Sequence, residues 1–135
     1  MNLEDALANV ALFQGLDRKD LRKLSKRMRV VKYNPEHVVI EQGSGGYGGM
    51  GVVLQGSCRV VRDQDQVIGH IGPGQVFGEM SLIDDRPRSA TVIADEPTEA
   101  AELSAWEFRA QIKESPEIAL NLLKTLSHRL REPGR

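Results

Sequence analysis

FGEMSLIDDRPRSATV, which runs from Phe77 to Val92, is the most informative part of this 135-residue sequence. Glycine at position 78 permits a close backbone approach, and a short turn of helix can begin near Glu79. The first amides of such a turn have no intrahelical partner, so they form a site for an anion. Pro87 ends the segment and places Arg88 at the start of a strand, where its guanidinium can contact two phosphate oxygens.

The residues around Arg88 complete a set of donors and acceptors. Ser89 adds a hydroxyl and an amide, and Ala90 adds a further amide. Glu79 is an acceptor beside these donors and can take a hydrogen bond from a sugar hydroxyl. The set suits a ligand with both a phosphate and a free hydroxyl. An ion pair between Glu79 and Arg88 that ties a loop together explains the same residues, and the residues alone leave both interpretations open.

This stretch resembles the phosphate-binding cassette of cyclic nucleotide-binding domains, the sensors of catabolite-activator-type regulators, of cyclic AMP-dependent kinase regulatory subunits and of cyclic nucleotide-gated channels. The family pattern is F-G-E-[LMA]-[SA]-L, a few variable residues, then P-R-[SA]-A-[ST]-[VI], and every fixed position is matched. The resemblance extends over nearly the whole chain. It implies a mostly β fold with flanking helices, an antiparallel β-roll of the double-stranded β-helix or jelly-roll type.

The resemblance also implies one domain, residues 1–135, in three parts. Residues 1–35 are expected to be helical, residues 36–104 to form the roll with the cassette at 77–92, and residues 105–135 to form the C-terminal helices. In this family the helices that follow the roll repack when ligand binds. The chain is therefore expected to be a cytoplasmic signal-transduction domain and not an enzyme.

The resemblance assigns a role to each cassette residue. Arg88 is expected to bind the cyclic phosphate and Glu79 the ribose 2′-hydroxyl, while backbone amides complete the cradle at Gly78, Met80, Ser81, Ser89 and Ala90. Serine at position 89 favours cyclic AMP over cyclic GMP, because threonine there accompanies cyclic GMP preference in the family. The alternative function is a ligand-independent interaction or dimerisation module that retains the fold.

A glycine-rich stretch, GSGGYGGMG from Gly43 to Gly51, contains G-x-G-x-x-G twice. A dinucleotide site requires a helix after this motif, whereas a strand pattern at Val52–Leu54 follows here, so a flexible hairpin loop is predicted instead. Relatives carry an acidic loop at this place. Here Ser44 replaces its first aspartate and Gly51 its aromatic residue, which predicts that Arg88 is less rigidly held.

The composition excludes several other classes. Apolar residues make up 40% and charged residues 27%, with a net charge of −1, so overall charge gives no drive toward nucleic acid or anionic membranes. No apolar run reaches the length of a membrane span, and the N-terminus does not resemble a signal peptide. The single cysteine, Cys58, suits a reducing compartment and is expected to be a small buried apolar residue. The three histidines share no metal-ligand spacing, His70 is expected to be structural, and neither metal nor cofactor is predicted.

Hydrophobic periodicity predicts the remaining elements. A helix is expected over positions 3–11 and a second one after Asp17 as its N-cap, in a region that ends at Asn34-Pro35. Strand patterns occupy His37–Gln42, Val52–Leu54, Cys58–Arg62, Val67–Ile71, Ala90–Ala94 and Glu99–Ser104.

Two helices are predicted to close the chain, one capped by Ser104 and one by Ser115 and ended by Pro133-Gly134. The apolar stripe of the last helix is Ile118, Leu122, Leu123, Leu126 and Leu130, and it fits core packing or an intersubunit seam. The sequence leaves two kinds of partner undecided: a second copy of the chain in a homodimer, and an effector domain or partner protein outside the chain.

Overall fold

The computed structural model describes residues 2–44, 49–79 and 87–131. Two helices and a short 3-10 turn come first: α1 (Leu3–Ala8), the turn (Ala11–Phe13) and α2 (Arg18–Arg27). Strands follow, namely β1 (Arg29–Tyr33), β2 (Val38–Ile40), β3 (Met50–Gln55), β4 (Cys58–Arg62), β5 (Gln66–Ile71), β6 (Val76–Phe77), β7 (Thr91–Ala94) and β8 (Thr98–Leu103). Helices α3 (Ala105–Glu114) and α4 (Glu117–Arg131) complete the described chain.

The strands form two four-stranded sheets, ordered β1-β8-β3-β6 and β2-β7-β4-β5. Every recorded strand pair is antiparallel. Consecutive strands alternate between the sheets in places, so the chain winds around a shared interior rather than forming a simple meander. The predicted fold, mostly β with flanking helices in an antiparallel roll, is confirmed.

The expected helical part, residues 1–35, contains a strand. Helix α2 ends at Arg27, and the next five residues after Met28 form β1, which pairs with β8 from Arg29↔Glu102 to Tyr33↔Thr98. Val30, Val31 and Tyr33 favour strand structure because β-branched and aromatic side chains fit a pleated surface. The partner strand lies far away in sequence, so local periodicity does not reveal the pairing.

The glycine-rich connection is not a hairpin. It joins β2, whose partner is β7, to β3, whose partners are β6 and β8 in the other sheet. A hairpin requires that the two flanking strands pair with each other, and these do not. Residues 45–48 lie outside the described part of the chain. The strand predicted after the glycines is present and longer than expected, as β3.

Two apolar clusters hold the elements together. One packs the helices onto the first sheet through Leu7, Val10, Leu12, Phe13, Leu21, Leu24, Met50, Val52, Leu103, Phe108, Ile118 and Leu122. The other fills the roll with Val53, Cys58, Phe77, Val92, Ala94 and Ala100. Burial of this apolar surface is the main stabilising contribution to the fold.

The structure tests the predicted helix N-caps and the predicted apolar stripe of α4. Asp17 accepts from the amide of Asp20 at 2.9 Å, and Ser104 accepts from the amide of Glu107 at 3.1 Å, so two of the three predicted N-caps are confirmed. Of the predicted stripe on α4, Ile118 and Leu122 are buried, whereas Leu123 is 62% exposed. Leu126 is half-buried, and the side chain of Leu130 and the Pro133-Gly134 stop lie outside the described residues.

Candidate ligand-binding site

An open pocket of about 520 Å³ lies against the inner face of the sheet that contains β4, β5 and β7. Five of the predicted site residues line it: Gly78, Glu79, Arg88, Ser89 and Ala90. The other two, Met80 and Ser81, lie outside the described residues. Residues that are ten positions apart in sequence therefore meet around one volume, as the cassette pattern requires.

Gly78 positions the first wall of the pocket. It follows β6 directly and has φ +79°, a left-handed conformation that glycine adopts without strain. A Cβ at this position would lie 2.9 Å from Arg88 Nη1 and 2.9 Å from the Gly49 carbonyl oxygen. Glycine is therefore needed here both for the backbone angle and for space, and its geometry directs the chain into Glu79.

Arg88 is fixed at its backbone by the glycine-rich connection. Its carbonyl accepts from the amide of Gly43 at 2.8 Å, and its amide donates to the carbonyl of Ser44 at 2.9 Å. Because the two bonds go to different residues, Gly43 and Ser44 both lie opposite Arg88, as two residues lie opposite one in a β-bulge. Ser44 thus contacts Arg88 through its backbone, although its side chain offers no carboxylate.

The Arg88 side chain is buried, with only 6% of its surface exposed. Its Nη1 donates to the Gly78 carbonyl at 2.8 Å and its Nη2 to the Gly49 carbonyl at 2.6 Å. We expected the missing acidic loop to leave this side chain less rigidly held, and the structure differs, because two carbonyl oxygens support the guanidinium instead. A guanidinium has five N–H donors, so these bonds leave others for a ligand.

The electrostatics of Arg88 favour an anion in the pocket. Burial lowers the pKa of its guanidinium, while the nearby negative charge of Glu79 acts in the opposite direction. Arginine nevertheless stays charged at neutral pH. A buried cation held by neutral carbonyl groups is stabilised when an anion binds beside it. Glu79 lies on the same pocket, with its carboxylate oxygen Oε2 buried.

Two further glycines shape the support behind Arg88. Gly49 has φ +88°, and a Cβ there would lie 2.2 Å from the Leu103 carbonyl oxygen. A Cβ on Gly51 would lie 2.2 Å from Cζ of Phe77. The ring of Phe77, buried at 5% exposure, therefore fills the space beside Gly51, the position where relatives carry an aromatic residue.

Three exposed pocket residues on β4 and β5 are among those outside our sequence-based site. Arg62 ends β4, lines the pocket and donates from Nε to the Ser89 carbonyl at 3.2 Å. Ile68 and His70, on β5, also line it, and both are exposed. His70, which we expected to be structural, is instead exposed at the pocket. Period-two alternation along β5 was the one available signal, since it puts Ile68 and His70 on the same face.

The other candidates for chemistry are the single cysteine and a cluster of metal ligands. Cys58 is buried as expected, and burial raises the pKa of its thiol. Within the described residues, no group of three or more histidine, cysteine, aspartate or glutamate side chains is placed to hold a metal ion. Nor does any helix in that part of the chain combine the length and apolar character needed to cross a membrane.

Comparison with known proteins matches the chain to one sequence family and to regulators. The sequence model of the cyclic nucleotide-binding domain matches residues 30–115. A CRP-like cAMP-activated global transcriptional regulator of Mycobacterium tuberculosis is 26% identical over 96% of this chain. The chain spans 59% of that regulator's length.

Solved structures resemble the chain over most of its length. The catabolite activator protein of Thermus thermophilus superposes with a TM-score of 0.82 at 32% identity, covering 90% of this chain and 58% of that one. The regulatory domain of Toxoplasma gondii PKA, crystallised with cAMP, gives a TM-score of 0.75 at 31% identity over 84% of this chain and 44% of that one.

Proposed function

Because the chain belongs to the cyclic nucleotide-binding domain family, we propose that it is a non-enzymatic receptor domain that binds a cyclic mononucleotide in the pocket around Arg88. One observation carries this proposal. The guanidinium of Arg88 is buried, fixed by two backbone carbonyls and open to a pocket that also contains a carboxylate. A cyclic 3′,5′-phosphodiester has a single negative charge and exocyclic oxygens that the remaining N–H donors of this guanidinium can bind.

Each pocket residue has a part in this proposal. Arg88 binds the exocyclic phosphate oxygens, and Glu79 accepts from the ribose 2′-hydroxyl. Amides of Gly78, Met80, Ser81, Ser89 and Ala90 complete the cradle. The positive φ of Gly78 supports this assignment, since it brings the backbone close to Arg88 without a side chain between them.

Cyclic AMP is the ligand that we favour, with cyclic GMP second. Ser89 lines the pocket at the position where a threonine is associated with cyclic GMP. The Mycobacterium tuberculosis relative is described as cAMP-activated, and the Toxoplasma gondii structure was determined with cAMP. These descriptions concern the relatives and support the same choice for this chain.

Binding is proposed to shift the packing of α3 and α4 rather than to start a reaction. A ligand shifts such an equilibrium only through its different affinity for the two arrangements. Helix α4 is attached to the N-terminal turn by Asn121, whose Nδ2 donates to the carbonyls of Leu12 at 2.8 Å and Gln14 at 2.9 Å. We place the domain in the cytoplasm, acting through an effector domain or partner protein.

Thermal unfolding with cyclic AMP, cyclic GMP and 5′-AMP tests the proposal. A ligand at 100 times its Kd adds about 2.7 kcal/mol to the free energy of unfolding, so the melting temperature should rise with cyclic AMP concentration. Cyclic GMP should shift it less, and 5′-AMP, with its open dianionic phosphate, least. No shift with any of the three would favour the ligand-independent interaction module instead.

A further inference from the structure

The pocket contains a second arginine that the cassette pattern does not include. Arg62 is the last residue of β4 and lines the pocket together with Arg88. Its side chain is anchored, because Nε donates to the carbonyl oxygen of Ser89 at 3.2 Å. Since Ser89 directly follows Arg88, this bond holds the second cation beside the segment that carries the first.

Among residues 2–44, 49–79 and 87–131, no acidic side chain forms an ion pair with Arg62. The adjacent acid, Asp63, forms its hydrogen bonds with Gln42. Its Oδ1 accepts from Gln42 Nε2 at 3.2 Å, and its amide donates to Gln42 Oε1 at 3.0 Å. The bond to Ser89 uses one of the five N–H donors of Arg62, which leaves both Nη groups available.

The contrast with the other arginine of β4 supports a ligand role. Arg59 forms ion pairs with Glu36 at 2.7 Å and Asp95 at 2.6 Å, so its charge is used within the fold. Arg62, on the same strand, donates to a neutral carbonyl at the edge of a pocket. An arginine whose one bond to the described part of the chain goes to a neutral carbonyl contributes little to the stability of that part through its charge.

From these contacts we propose that Arg62 is a second cation of the ligand site, which attracts and holds the phosphate-bearing end of the ligand together with Arg88. This inference rests on the proposed function, because the ligand in question is the cyclic mononucleotide. Arg62 is exposed whereas Arg88 is buried. Salt screens exposed charges more strongly than buried ones, so the contribution of Arg62 is the more sensitive to ionic strength.

Calorimetric titration with cyclic AMP tests the role of Arg62. At about 0.1 M salt, Arg62→Ala should weaken affinity about three- to tenfold, the scale of a charge-assisted bond at a partly exposed site. Arg62→Gln keeps a donor for the Ser89 carbonyl but has no charge, so it should bind cyclic AMP as weakly as Arg62→Ala does. Arg62→Lys should retain most of the affinity. Raising the salt to about 1 M, where the Debye length is about 3 Å, should shrink the difference between wild type and Arg62→Ala.

Arg29→Ala is the matched control, since it removes one exposed arginine from β1, away from the pocket, and should bind as wild type does. Wild-type affinity in Arg62→Ala or in Arg62→Gln would overturn the inference. If Arg88→Ala lost affinity while the Arg62 variants did not, the proposed function would stand and only the role of Arg62 would be rejected. A wild-type protein that binds neither cyclic AMP nor cyclic GMP would overturn both.

Discussion

At the scale of single residues, the guanidinium of Arg88 is the centre of the site. Its two recorded side-chain bonds go to the carbonyls of Gly49 and Gly78, and its backbone bonds go to Gly43 and Ser44. Three of these four residues belong to the glycine-rich connection. The described residues of the connection therefore support, from behind, the side chain that is proposed to bind phosphate.

Gly49→Ala should destabilise the fold more than Gly43→Ala. Both glycines have left-handed φ angles, +88° and +84°, and alanine in that region costs about 1–2 kcal/mol. Only at position 49 would the new Cβ meet the chain, 2.2 Å from the Leu103 carbonyl, whereas nothing lies within 4 Å at position 43. The difference between the two variants in chemical denaturation isolates the clash.

Equal destabilisation of the two variants would show that the contact at Leu103 is relieved by small backbone shifts. The same pair also tests the support of Arg88. Gly49→Ala displaces the carbonyl that accepts from Nη2, so it should weaken cyclic AMP binding, while Gly43→Ala should leave it close to wild type.

Glu79→Gln tests the proposed contact with the ribose 2′-hydroxyl. The amide keeps the shape of the carboxylate but removes the charge from the acceptor, so affinity for cyclic AMP should fall about tenfold, in line with a charge-assisted hydrogen bond. Calorimetry with 2′-deoxy cyclic AMP provides the control. Wild type and Glu79→Gln should bind that analogue about equally, and a similar loss with both ligands would mean that Glu79 does not contact the 2′-hydroxyl.

At the scale of elements, the predicted site residues lie next to the ends of strands β6 and β7. Gly78 and Glu79 come directly after β6, and Arg88 comes just before β7. The two strands lie in different sheets, so the pocket forms where the chain crosses from one sheet to the other. Strand β4 adds Arg62 because it pairs with β7, from Cys58↔Ala94 to Val61↔Thr91.

Several elements were predictable from local sequence. Strand β4 has the predicted bounds, Cys58–Arg62, and Asp17 and Ser104 cap helices as expected, because these signals depend on neighbouring residues alone. Strands β1 and β6 were not predicted. The first depends on a distant partner, and the second, Val76–Phe77, is too short to show a period.

The site was predictable where it is contiguous. Gly78, Glu79, Arg88, Ser89 and Ala90 lie within one recognisable stretch and line one pocket. Arg62 and His70 reach the same pocket through strand pairing, which a single sequence does not reveal. The carbonyl of Gly49 was beyond sequence-based reasoning for a further reason, since any residue has a carbonyl and only the fold decides where it points.

Helix α3 carries a natural reporter of helix movement. Trp106 is the single tryptophan of the chain and is 81% exposed. If α3 and α4 repack over the pocket when ligand binds, the emission of this indole should shift and saturate with the Kd found by calorimetry. The control is 5′-AMP, which should leave the spectrum unchanged. Binding without any change at Trp106 would contradict the proposed repacking but not the proposed site.

At the scale of the whole molecule, Arg88 is hydrogen-bonded to residues that flank strands of both sheets. Its side chain contacts Gly49, and the next residue, Met50, is buried at 2% exposure in the cluster that packs the helices. Its backbone is bound to Gly43 and Ser44, in the connection that follows β2 of the other sheet. A ligand that binds Arg88 would therefore contact a residue whose acceptor, Gly49, directly precedes a member of the helix-packing cluster.

Calorimetric titration of wild type and Arg88→Ala with cyclic AMP is the most direct test of the proposed function. Wild type should bind one cyclic AMP per chain, and Arg88→Ala should lose at least about tenfold in affinity, because the charge-assisted bonds to the phosphate disappear. Arg88→Lys, which keeps the charge without the planar fork, should fall between them and guards against loss of folding in the alanine variant. Unchanged affinity in both variants would remove Arg88 from the site and contradict the account.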